Sequence, residues 1–159
     1  MQITILCVGK LKEKYLKAGV EEYTKRLGAY GKISLIEVAD EKCPDRGSDR
    51  EKEIVRQKEA ERILAKLPPS AWPVTLEIGG RMLSSEELAR ELDGMPHKGV
   101  SHVAFIIGGS LGLDESVRKR SKLALSFSKM TFPHQLMRLI LTEQIYRAFT
   151  IIQGTPYHK

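Results

Sequence analysis

The chain has 159 residues, 42% of them hydrophobic and 29% charged, with a formal net charge of +6. That is enough for one ordinary core, and no apolar run is long enough to span a bilayer. The opening MQITILCVGK lacks a basic leader and a small-residue cleavage site, so it does not read as a signal peptide. Two distant cysteines, Cys7 and Cys43, read as free thiols of a reducing cytoplasm rather than a disulfide framework. The basic balance is a mild pointer to a polyanionic partner.

In chain order, ITILCVG predicts a strand that ends at Gly9. LKEKYLKAGVEEYTKRL predicts a helix with Leu11, Tyr15, Gly19, Tyr23 and Leu27 on one face. KISLIEVAD reads as a second strand, and residues 40–49 as a polar loop. REKEIVRQKEAERILAKL is a mixed-charge helix stopped by Pro68 and Pro69. PVTLEIGG is a third strand, and Ser84 with Glu87 forms a capping box for SEELAREL. VSHVAFIIGG is a largely apolar and therefore central strand. Asp114 can cap a helix over ESVRKRSKLA, and LSFSKMTF is a fifth strand or extended segment. Pro133 opens a last helix through Phe149. Alternating strands and helices predict an α/β fold, with a mostly parallel sheet flanked by helices, in a single domain over residues 1–159. The last helix is apolar over most of its circumference, around Met137, Leu141 and Ile145. Either it is a central helix, or a second subunit covers it.

Three strand ends carry the chemical signal. FIIGGSLGL runs a strand into Gly108, Gly109, Ser110, Leu111 and Gly112, and VTLEIGG and SFSKMTF end similarly in small residues. Ligands of open α/β sheets bind at carboxyl ends of strands, and glycines there admit close main-chain approach. A tight turn is the plain alternative. Metal ligation is not expected, because the four histidines have no ligand spacing. There is no G-x-S-x-G elbow for a serine hydrolase. His134 reads as a structural residue at a helix start. Arg147 could pair with Glu143 on a solvated face, and the basic run 117–122 is either a solvated helix face or a phosphate footprint.

With IIGGSLGL, LSFSKMTFPHQLMRLILTEQIYRAF and the terminal PYHK in order, the whole chain resembles the ribosomal RNA large-subunit methyltransferase H family. These are small members of the SPOUT, or trefoil-knotted, methyltransferases. The resemblance implies a C-terminal knot, S-adenosylmethionine as methyl donor and N3 of a 23S rRNA pseudouridine in the interface stem-loop as acceptor. It implies cofactor contacts at Leu76, Gly108, Phe127, Ser128, Lys129, Met130, Thr131 and Phe132. It implies functional roles at the acceptor site for Arg147, Tyr157 and His158. Lys159 stands where some relatives have arginine. A homodimer is expected, with the tail of one subunit reaching the other's pocket. Alternatives are a knotted methyltransferase acting on transfer RNA and a non-enzymatic nucleotide-binding module.

Overall fold

The structure, a computed structural model, describes all 159 residues. Five strands form one sheet: β1 (Gln2–Val8), β2 (Lys32–Val38), β3 (Trp72–Met82), β4 (His102–Ile107) and β5 (Leu123–Ser126). Their order is β2-β1-β4-β3-β5, and every pairing is parallel. Five helices flank them: α1 (Lys14–Leu27), α2 (Asp49–Lys66), α3 (Ser85–Gly94), the short α4 (Glu115–Arg118) and α5 (His134–Gln153). The expected α/β class with a parallel sheet holds.

Side chains of a strand point alternately to its two faces, and β4 divides them cleanly. Val103, Phe105 and Ile107 join a core with Leu88 and Leu92 of α3 and Leu141 and Ile145 of α5. Ala104 and Ile106 join the opposite core with Ala60 and Ile63 of α2 and Val117 of α4. All six β4 side chains are buried, which is why that strand reads as a continuous apolar run. Burial of a side chain such as Phe105 stabilises by about 2–3 kcal/mol. Deep in the sheet, Thr4 and His102 satisfy each other across the β1–β4 pairing at 2.8 Å.

Local signals set the helix starts. Ser84 and Glu87 form the expected capping box. Ser48 and Glu51 form a second one at the head of α2.

Four expectations need correction. α1 starts at Lys14 and buries Leu16, Val20 and Leu27, while Tyr15 is 70% exposed. The stripe through Leu11 and Tyr15 counted a residue outside the helix and so rotated the face. α4 is four residues long, and β5 begins at Leu123, so most of ESVRKRSKLA is not helical. β5 stops at Ser126, and residues 127–133 form a loop rather than continuing the strand. Leu141 and Ile145 are packed in the core of the chain and Met137 is buried near the head of α5, so the apolar circumference of α5 is covered within the chain. Those three side chains are not a free interface.

Candidate functional site

The carboxyl ends of β3, β4 and β5 lie side by side in the sheet order. They open onto a cavity of about 1000 Å³. Its floor is apolar, with Leu76, Ile107, Leu125 and Phe127, and its rim is polar, with Glu77, Asp114 and Arg118. Leu76, Gly108, Phe127, Ser128, Met130, Thr131 and Phe132 all border it, and Lys129 does not. The three strand ends picked out by their small residues are therefore one crevice.

The β4 end shows how the wall is made. Gly112 has φ +82°, a conformation that side-chain-bearing residues rarely adopt. It closes a tight turn in which its N–H donates to the carbonyl of Gly109 at 3.1 Å. A Cβ on Gly108 would come within 2.9 Å of Leu113 and 3.0 Å of the Gly112 main chain. The turn and ligand readings of this loop are thus joined. Glycine at 108 lets the loop fold back on itself, and the folded loop presents main chain to the cavity.

α5 begins at the edge of the same cavity, where His134 and Met137 line it. The N-cap of α5, Pro133, makes no side-chain cap bond, and the buried Nδ1 of His134 has no hydrogen-bond partner. Burial, helped by the nearby Arg138 charge, pushes its pKa down and holds the ring neutral. His134 stands at the helix start as expected, and it also lines the cavity. Arg138, one turn on, is fully buried. Its guanidinium donates to Glu37 at 2.5 Å and to the carbonyl of Gly9 at 3.1 Å, which ties the head of α5 to the end of β1.

Arg147, Tyr157 and His158 form one cluster at the other end of α5. Arg147 donates to Glu143 at 2.5 Å and contacts His158 Nδ1 at 3.1 Å. Its guanidinium carbon lies 4.8 Å from the centroid of the Tyr157 ring. The Tyr157 hydroxyl donates to Glu143 at 2.9 Å, and His158 Nε2 lies 2.8 Å from Glu86 at the head of α3. Partners on both ring nitrogens fit one tautomer: Nδ1 accepts from Arg147 while Nε2–H donates to the Glu86 carboxylate. Burial, then hydrogen bonds with Tyr23 and Glu143, push the Tyr157 pKa well up, so its hydroxyl stays protonated. Arg147 and Glu143 are 25% and 17% exposed. The pair is therefore a half-buried anchor for the tail, not a solvated surface pair.

The two groups are apart within one chain. Arg147 follows His134 by thirteen helical residues, or about 20 Å along the axis, and none of Arg147, Tyr157 and His158 borders the cavity. Sequence reading paired Glu143 with Arg147 but missed its contact with Tyr157, and it missed Glu86 and Tyr23 as tail partners. The i, i+4 spacing of Glu143 and Arg147 was the one available signal.

Comparison with known proteins fits this geometry. The SPOUT methyltransferase family model matches residues 1–158. The chain belongs to this family. It is 58% identical over all 159 residues to a Lysinibacillus sphaericus protein named ribosomal RNA large subunit methyltransferase H, with both chains covered completely. A Bacillus pumilus protein of the same name is also 58% identical at full coverage of both. Among solved structures, a Legionella pneumophila protein described as a methyltransferase in complex with the cofactor SAM matches with TM-score 0.50 and 10% identity. The match covers 94% of this chain and 66% of that one. At that identity the likeness speaks to the fold.

Proposed function

We propose that the protein transfers a methyl group from S-adenosylmethionine to N3 of a pseudouridine in 23S ribosomal RNA, in the stem-loop at the subunit interface. The observation that carries this reading is the crevice at three adjacent strand ends in a SPOUT-family chain. The full-length relatives named as large-subunit rRNA methyltransferases support the choice of acceptor. The cavity suits the donor chemically. An apolar floor beside exposed main chain fits an adenine ring, and rim carboxylates such as Asp114 can accept from ribose hydroxyls. The loop residues Phe127, Ser128, Met130, Thr131 and Phe132, with Leu76 and Gly108, would hold the cofactor, while Lys129 lies on the same loop away from the cavity. When bound, it supplies a methyl group on a sulfonium, ready for in-line displacement.

The acceptor side falls to Arg147, Tyr157 and His158. The N3 proton must leave, and in the tautomer described above His158 can take it only at Nδ1, once the Arg147 contact there is released. Arg147 then stabilises the developing negative charge on the base. Tyr157, kept protonated, stacks rather than acts as a base.

We infer a cytoplasmic homodimer in which this tail cluster serves the partner's crevice. Two features favour that arrangement: the distance of about 20 Å between the cluster and the crevice of its own chain, and the apolar side chains Ile78, Met82 and Met130, 54%, 54% and 74% exposed. Ile78 and Met130 border the crevice. No helix is long and apolar enough to cross a membrane, and no cluster of His, Cys, Asp or Glu could hold a metal. The chain over residues 1–159 is taken to act as a single domain, with its C-terminal part threaded as a trefoil knot. An RNA partner is also favoured near the end of β1. Lys10, Lys12, Lys14 and Lys17 are all exposed there around the exposed Tyr15, a pattern suited to phosphates and a base.

The test is methylation with labelled donor of ribosomes, isolated subunits and transfer RNA. Label in N3-methylpseudouridine of 23S rRNA is the expected result. Label confined to transfer RNA would overturn the acceptor, and no transfer to any RNA would overturn the activity. Light scattering at micromolar concentration tests the dimer, and a clean 17.9 kDa monomer would refute it.

A further inference from the structure

Glu59 is a buried carboxylate without a cation. It lies on α2, is 5% exposed, and its Oε2 accepts the main-chain N–H of Glu41 at 3.0 Å. Of the neighbouring cations on that helix, Lys58 and Arg62 both pair with Glu41, and Arg56, one turn back, borders the large crevice and makes no ion pair with Glu59. Burial of an ionised carboxylate without a counter-ion is costly. The pKa of Glu59 is accordingly pushed up, chiefly by burial.

Its surroundings are open on one side. Glu59 borders a polar cavity of about 220 Å³, together with Asp40, Cys43 and His134; Lys42 also borders it but is exposed and makes no ion pair with Glu59. This annex shares Gly109, Ser110, Leu111 and His134 with the large crevice. A Cβ on Gly109 would lie 3.1 and 3.3 Å from the two Glu59 oxygens, so no side chain separates the glycine loop from the carboxylate. On the same border sits His134, whose buried Nδ1 lacks a partner. Glu59, which lacks an ion-pair partner, and His134, whose Nδ1 lacks a hydrogen-bond partner, therefore both border one small space beside the proposed donor site.

A compact cation with several N–H donors is the complement of such a space, and a primary ammonium has three. We propose that Glu59 and His134 form the seat of the α-ammonium group of the donor's amino-acid tail. Oε1 of Glu59 accepts one N–H, and neutral His134 accepts another through Nδ1. Gly109 is bare because the tail must pass it. This inference rests on the donor reading given above and adds two residues to the donor site.

The experiment is calorimetric titration of the full-length protein and Glu59→Gln with two ligands. S-adenosylhomocysteine carries the ammonium, and 5′-methylthioadenosine lacks the whole amino-acid tail. Glutamine keeps an oxygen for the Glu41 N–H, and thermal melting checks that the variant folds. S-adenosylhomocysteine affinity is expected to fall about tenfold or more, the scale of a lost charge-assisted hydrogen bond, with methylthioadenosine affinity unchanged. Equal weakening of both ligands would reduce Glu59 to a structural role and overturn the seat. So would a variant indifferent to both. A wild-type protein that bound neither ligand would overturn the donor reading itself, and the seat with it.

Discussion

Replacing Arg138 with methionine isolates the ion pair that fixes the head of α5. Methionine keeps most of the aliphatic bulk, so the change removes charge and donors more than volume. In the native protein the fully buried guanidinium serves Glu37 and the Gly9 carbonyl, with Val8 O at the limit of bonding distance, 3.5 Å. Breaking a buried pair by removing one partner costs about 3–5 kcal/mol when the other is stranded. Glu37 is not stranded: its side chain is 35% exposed and still accepts the Leu11 N–H at 2.8 Å. The lasting loss is a buried main-chain carbonyl without a donor, about 1–3 kcal/mol, plus the lost charge-assisted bond. The native Nε is itself unpaired, and its removal offsets part of this. About 3 kcal/mol of destabilisation follows, at the low end of the range. Urea unfolding at fixed protein concentration measures it, with Glu37→Gln completing a double-mutant cycle. Destabilisation below about 1 kcal/mol would show that the buried arginine is neutral to stability and refute the argument.

Gly108→Val is expected to weaken donor binding strongly by forcing the loop off Gly112 and Leu113. Calorimetric titration beside circular dichroism checks it, and wild-type affinity would remove this loop from the site. Deletion of residues 156–159 removes Tyr157 and His158 and is expected to abolish methyl transfer to ribosomes while leaving donor affinity intact. A truncated protein methylating at the full rate would move the acceptor chemistry elsewhere. Burial pushes the Cys7 thiol up to about 12 from 9.0, whereas Cys43 is partly exposed. A thiol reagent at pH 8 should therefore titrate one cysteine in the native protein and two in denaturant. The raised Cys7 value stabilises the fold fully below the unfolded pKa. That contribution should be lost as pH climbs from about 9 through about 12, so an alkaline unfolding series flat over that interval in wild type and Cys7→Ala alike would contradict it.

The order of strands and helices was readable because its signals are local. Alternation in β1, the apolar run of β4 and the Ser84 capping box each act over a few residues. The equivalent box at Ser48 and Glu51 was equally legible in SDRE but went unread. The misassigned face of α1 has a physical source: Leu11 is buried, but in the loop before the helix, and it aligned a false stripe through Tyr15. The crevice was foreshadowed because Gly108 and Gly112 answer a backbone demand that few other residues can meet. The annex around Glu59 was not, since a glutamate in a charged helix looks solvated until Lys58 and Arg62 are seen to turn to Glu41. The distance between His134 and Arg147 was implicit in the helix expected from Pro133 through Phe149, and the two do share one unbroken helix.

The placement of β1 between β2 and β4 governs how the chain can acquire its shape in time. Gln2 aligns with Lys32 on one side and with His102 on the other, so the innermost pairing joins segments separated by a hundred residues of chain. Ordering that much polymer must precede the reward of the β1–β4 contact. Folding should therefore run in milliseconds to seconds rather than microseconds. During synthesis, β1 and β2 would wait as an unfinished pair while α2, β3 and α3 emerge. The Thr4–His102 hydrogen bond would close late, and substitutions there should slow folding only if that closure belongs to the rate-limiting step.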